Sequence, residues 1–134
     1  YAVDISGEMI RQARQSLADR PNAHVFQNNG ADLSVLGEIQ VDFAFSYIVF
    51  QHIPSREVIR NYVREVHRLL RPGGLFKFQV QGWCDMSTQA DDTWLGISFS
   101  DADAVAMAEE YGFEPRYRHG AGTQYFWLWY FKRL

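Results

Sequence analysis

The side chains able to do chemistry in this chain gather at three places, each at the end of a short apolar run. Asp4 lies at the end of "YAVDI". Asn28, Asn29, Gly30 and Asp32 follow "AHVF", and Ser46, Tyr47 and His52 end or follow "VDFAF". A carboxylate at the lip of a parallel strand can accept two hydrogen bonds from a ribose diol. An Asp ahead of "SGEM" can equally cap the helix that follows. An amide or acid at the second lip could accept the exocyclic amine of an adenine, or Asn29-Gly30 could be an ordinary turn. Ser46 and Tyr47 fall at the end of an apolar strand, where a polar residue needs a reason. They could offer a carbonyl or hydroxyl to a charged ligand group. His52 precedes Ile53-Pro54, which fix the entry to a helix. It suits a general base or a substrate contact, and equally a capping or packing role.

Other chemistries find little footing. His67 and His119 have no partner at metal-ligand spacing, so no metal site is expected. The absence of GxSxG, GxxxxGK[ST], HExxH and CxxC excludes hydrolase-elbow, P-loop and zinc readings. One cysteine, Cys84, rules out an internal disulfide and suits a reducing compartment, hence a cytoplasmic setting. The net charge of −3, with no cluster of Lys or Arg, gives no footprint for nucleic acid. No apolar run reaches membrane-spanning length. An apolar fraction of 47% over 134 residues is enough for one packed domain, 1–134.

The elements that must position these residues can be read from periodicity. "YAVDI" is a strand, and "SGEMIRQARQSLADR" is a helix with Ile10, Ala13 and Leu17 on one face. "AHVFQNN" is a second strand. "VDFAFSYIVF", "REVIRNYVREVHRLL" and "LFKFQV" form a strand, crossover helix and strand, a unit that implies parallel pairing. Ser55 is its N-cap, and the helix buries Val58 or Ile59, Tyr62 or Val63, Val66, and Leu69 or Leu70. Pro72-Gly73-Gly74 is read as a tight turn into the next strand. Residues 82–99 lack periodicity and read as a long loop, with Trp83, Met86 and Trp94 as pocket candidates. "SDADAVAMAEEYG" is a helix capped by Ser100. "FEPRYRH" and "TQYFWLWYF" form an antiparallel pair, the last run lying inside the sheet because it is apolar on both faces.

Taken together, "VDIS-GEMIRQAR", "NNGADLS", "VDFAFSYIVFQHI" and "HRLLRPGGLFKF" resemble the class I S-adenosylmethionine-dependent methyltransferases, nearest to their small-molecule, ubiquinone- and menaquinone-biosynthesis-like branch. The resemblance implies an α/β, Rossmann-like, mostly parallel sheet with helices on both faces and a C-terminal antiparallel hairpin. It implies S-adenosylmethionine as cofactor and a small-molecule methyl acceptor. It puts Asp4 on the ribose, Ile5 on the adenine, and Asn29 or Asp32 with Gly30 at the adenine lip. Ser46 and Tyr47 would face the methionine part, and His52, Trp83 and Trp94 the acceptor.

The family's acid-x-Gly-x-Gly turn, with its first strand and helix, has no counterpart in this sequence. The chain begins at Tyr1, within an apolar run. The expectation is therefore an N-terminally truncated methyltransferase that alone binds the cofactor weakly or not at all. The absent strand normally lies between "YAVDI" and "VDFAFSYIVF". Direct pairing of those two runs, a homodimer or a strand swap is expected to close the gap. A nicotinamide-dependent oxidoreductase and a non-catalytic, dimer-forming module are the rival readings.

Overall fold

The computed structural model describes residues 1–84 and 96–134, which form two compact units, Tyr1–Ile39 and Gln40–Leu134. In the first unit, β1 (Ala2–Asp4) leads into α1 (Gly7–Ser16), which returns the chain to β2 (Val25–Gln27). Helix α1 starts where Ser6 stops the strand: its hydroxyl accepts from the Met9 N–H, and Glu8 in the first turn faces the positive end of the helix dipole. Parallel β1 and β2 pair in register, Ala2 with Val25 and Asp4 with Gln27. Ile10 of α1 is buried, as are Val25 and Leu33, whereas Leu17 at the helix end is exposed. The Arg14 guanidinium donates to the Val25 carbonyl at 2.9 Å and ties α1 to the start of β2.

The second unit is a four-stranded sheet. Strand β3 (Val41–Ser46) runs through a 3-10 turn at Phe50–His52 into α2 (Arg56–Leu69) and then β4 (Leu70–Val80). Helix α3 (Asp101–Glu110), β5 (Phe113–His119) and β6 (Phe126–Lys132) follow. The strand order is β3-β4-β6-β5, with β3 parallel to β4 and the other two pairs antiparallel. The last strand thus lies inside the sheet, as its two apolar faces demand. Helix α2 opens on Ser55, whose hydroxyl accepts from the Val58 N–H. It buries Ile59, Tyr62, Val63, Val66 and Leu69, the stripe its 3.6-residue period defines. Helix α3 opens on a reciprocal capping box between Ser100 and Asp103. The Tyr130 hydroxyl reaches back to the Ala104 carbonyl and joins α3 to β6.

Two expectations need correction. Helix α2 gives way directly to β4 at Leu70, so Arg71-Pro72-Gly73-Gly74 belongs to the irregular start of the strand rather than to a separate turn. Pairing with β3 shifts register there, between Val41 and Phe43, and the shift absorbs the Pro-Gly-Gly. Nor do the runs ending in Asp4 and Ser46 pair directly: among the described residues β1 bonds only to β2, and β3 only to β4.

One face of the four-stranded sheet carries the buried Phe76, Phe78, Val80, Leu128 and Tyr130. The other is an aromatic surface. Phe45 and Tyr47 both stack on Trp127, and the Lys77 ammonium sits 4.9 Å from the Trp129 ring centroid. Phe43 and Phe45 on β3 are each more than half exposed.

Candidate functional site

In the first unit, the lip beyond β1 and β2 is built by backbone bonds before any side chain acts. The Asn28 N–H donates to the Asp4 carbonyl at 3.0 Å, extending the parallel ladder to the ends of both strands. Asp4 Oδ1 accepts from the Ser6 N–H at 2.8 Å, a local bond of the kind that fixes a helix entry. Asp4 Oδ2 has no partner among the described residues, and the side chain is exposed. Next to it Ile5 is 63% exposed and lies over Gly30, where an added Cβ would stand 2.5 Å from Ile5 Cδ1. Gly30 has φ of +77°, so the turn and the close approach both call for glycine. The result is one lip offering a carboxylate oxygen beside an apolar surface.

Asn29 and Asp32 sit on the same lip but spend their oxygens within it. Asn29 Oδ1 accepts from the N–H groups of both Ala31 and Asp32, and its amide donates to Asp32 Oδ2. Asp32 Oδ1 takes the N–H and hydroxyl of Ser34. These bonds make a rigid polar turn, and they engage the oxygens that would otherwise meet an adenine amine.

The second unit holds a separate polar rim at the carboxyl ends of β3 and β4. Ser46 closes β3 opposite Phe78, and Tyr47 lies on the aromatic face against Trp127. Beyond them Ile48 has φ of +53°, an uncommon backbone for a β-branched residue. Such strain persists where its surroundings enforce it and concentrates at functional sites. Here the enforcing group is Gln79, whose Oε1 accepts from the Ile48 N–H at 3.2 Å. Gln79, fully buried on β4, donates through Nε2 to Gln51 Oε1 at 2.8 Å and to the carbonyls of Val80 and Gln124. Gln51 in turn meets His52, nitrogen to nitrogen, at 3.1 Å.

The first described part of the 82–99 loop joins the same rim. The Trp83 N–H donates to Gln81 Oε1, and the Trp83 ring is exposed. Gln81 is itself 1% exposed, and its Nε2 has no acceptor among the described residues. Gly96, at φ of +61°, packs so closely on the Gln51 carbonyl that a Cβ there would overlap it. Trp94 and Met86 lie outside the described residues. Cys84 is an exposed free thiol whose Sγ contacts the Gly82 carbonyl. Among the described residues no group of His, Cys, Asp and Glu could hold a metal ion, and no helix is long and apolar enough to cross a membrane.

The glutamines at the ends of β4 and in the 3-10 turn went unread in the sequence, where "LFKFQV" is simply an apolar strand. Two amides in or next to such a run, at Gln79 and Gln81, were the available signal, since a buried amide needs partners.

Comparison with known proteins agrees with this geometry. A family model described as a methyltransferase domain matches residues 1–78, more than half of the chain. The chain therefore belongs to the methyltransferase domain family. No curated protein sequence matches it. An S-adenosylmethionine-dependent methyltransferase from Methanosarcina mazei superposes with a TM-score of 0.73 at 18% identity, covering 100% of this chain and 83% of that one. One from Clostridium acetobutylicum gives 0.78 at 11% identity, covering 98% and 74%. The CcbJ methyltransferase of Streptomyces caelestis gives 0.75 at 19% identity, also covering 98% and 74%. At these identities the likeness is one of fold, and the fold is that of the class I enzymes, whose cofactor is S-adenosylmethionine.

Proposed function

We propose that the protein transfers a methyl group from S-adenosylmethionine to a small-molecule acceptor, and that the lip around Asp4 holds the adenosine part of the cofactor. The observation that carries this is the Asp4 carboxylate: it closes a parallel strand, spends one oxygen on the Ser6 N–H, and keeps Oδ2 without a partner among the described residues. That oxygen fits a ribose hydroxyl, and the exposed Ile5 over Gly30 fits a planar base. Asn29 and Asp32 fit less directly. Their part in this proposal is to shape the turn, with the base amine met at their outer lone pairs or at Gly30's backbone.

When bound, S-adenosylmethionine supplies a sulfonium-activated methyl to an attacking O, N, C or S atom. The protein's task is then to orient two reactants and keep water out, and a strong acid or base is optional. Ser46 and Tyr47, at the end of β3, are assigned to the methionine side of the cofactor. His52 and Trp83 are assigned to the acceptor, together with Trp94 of the same loop. Substituting Asp4→Asn in the active protein is expected to raise the KM for S-adenosylmethionine tenfold or more, roughly the worth of a hydrogen bond to a charged group. An unchanged KM would remove Asp4 from the site.

The acid-x-Gly-x-Gly turn of the family is absent from this sequence, so the 134-residue chain alone is proposed to bind the cofactor weakly. The free edge of β3 and its exposed Phe43 and Phe45 favour a second reading, in which a homodimer or strand swap completes the sheet. Sedimentation of the purified chain at increasing concentration separates the two.

A further inference from the structure

The amide groups behind His52 leave only one consistent assignment of donors and acceptors. At Gln79, one end of the side chain faces the Ile48 N–H, a group that can only donate. The other end faces the carbonyls of Val80 and Gln124, groups that can only accept. Backbone therefore fixes Gln79 with Oε1 toward Ile48 and Nε2 toward the carbonyls. The Gln79 Nε2 so placed also lies 2.8 Å from the Gln51 side chain, which must present its oxygen. Gln51 then has only its NH2 group left for His52 Nε2, 3.1 Å away. An imidazole nitrogen that receives an N–H must offer its lone pair. The proton of the neutral ring is consequently on Nδ1.

We propose that Gln79 and Gln51 are positioning residues that fix His52 in its Nδ1–H tautomer, so that His52 acts at this rim as a hydrogen-bond donor and not as a proton acceptor through Nε2. The proposal rests on assigning this rim to the methyl acceptor, and it adds what kind of acceptor suits it. An acceptor presenting an oxygen lone pair, such as a carbonyl or carboxylate, matches a donor here, whereas one that needs deprotonation gains nothing from Nε2. Burial of the relay makes the assignment firm: Gln79 is 0% and Gln51 4% exposed, so water does not compete for these bonds. Ile48 gives it a mechanical anchor, since its positive φ is held by the same Gln79 oxygen.

The test is the tautomer itself, read by long-range proton–nitrogen correlation on the full chain labelled with 15N-histidine. His52→Asn assigns the resonances by deletion. The expected result is a protonated Nδ1 and a bare Nε2 in the wild-type chain. In Gln51→Glu, a carboxylate that can only accept replaces the donor, and the two nitrogen shifts are expected to exchange. A protonated Nε2 in the wild type, or averaged shifts from a mixture, overturns the proposal. An unchanged tautomer in a folded Gln51→Glu chain does so too. If that variant does not fold, the wild-type spectrum decides alone. The measurement needs no cofactor, so its failure is distinguishable from a failure of S-adenosylmethionine binding.

Discussion

The Ile48 N–H donates to Gln79 Oε1 at 3.2 Å, and this bond joins a strained loop residue to the middle of the sheet across 31 positions of chain. Ile48 has φ of +53°, a conformation that costs a β-branched residue about 1 to 2 kcal/mol. Gly adopts it freely but loses about 0.5 to 1 kcal/mol through its more flexible unfolded chain. Ile48→Gly is therefore expected to leave stability unchanged or raise it by up to about 1 kcal/mol in urea unfolding. A clear loss would mean that the Ile48 side chain, not its backbone, is what the fold needs.

Gln79→Leu should do the opposite. It removes the acceptor of Ile48 and the donor for Gln51, Val80 and Gln124, stranding polar groups around a fully buried position. Each stranded buried group costs about 1 to 3 kcal/mol, so a loss of at least about 2 kcal/mol is expected. A denaturation midpoint within error of the wild type would contradict the relay.

Gly96 fixes the far end of the loop against the turn that carries His52. Its φ of +61° and the Gln51 carbonyl beside it leave no room for a side chain. Gly96→Ala should cost about 1 to 3 kcal/mol, because strain and overlap add. The check is a thermal melt paired with the His52 tautomer spectrum, in which the displaced Gln51 should also disturb the ring nitrogens.

Two buried rings set the pH limits of the fold. Burial pushes the Tyr130 phenol well above the ordinary tyrosine range, opposed by Arg118 and reinforced by the Asp101 charge. A raised folded value means the stabilisation is whole below about pH 10, where the unfolded phenol ionises, and is lost as pH rises beyond it. Burial, then the Lys132 ammonium, lower the His67 pKa, with a Gly112 backbone bond opposing them. A lowered value for a histidine means stability is present above about pH 6.5 and falls as pH drops through the folded value. Tyr130→Phe should flatten the alkaline limb of stability against pH, and His67→Gln should flatten the limb just below neutrality. Limbs unchanged in either variant would assign the slope to other groups.

Much of this architecture is legible in the sequence because its signals are local. The α2 stripe from Ile59 to Leu69, the caps at Ser55 and Ser100, and the interior position of β6 follow from spacing and residue type alone. The Pro72-Gly73 step misleads because a turn and an irregular strand start use the same residues, and only pairing with β3 distinguishes them. The site is less legible. Gln79 finds its partners 28 and 45 positions away, and no one-dimensional pattern links them. A β-branched residue such as Ile48 gives no hint of positive φ. Asn29 looks like an available acceptor until its two backbone donors, Ala31 and Asp32, are in place.

Adenosine recognition at the Asp4 lip is tested most directly by titrating the 15N-labelled 134-residue chain with S-adenosylhomocysteine and following backbone amide shifts. The account predicts weak, fast-exchange binding, with a Kd of about 1 mM or weaker, shifts centred on Ile5, Ser6 and Gly30, and their loss in Asp4→Asn. Saturation at micromolar ligand, or shifts that spare this lip or persist in Asp4→Asn, would contradict it.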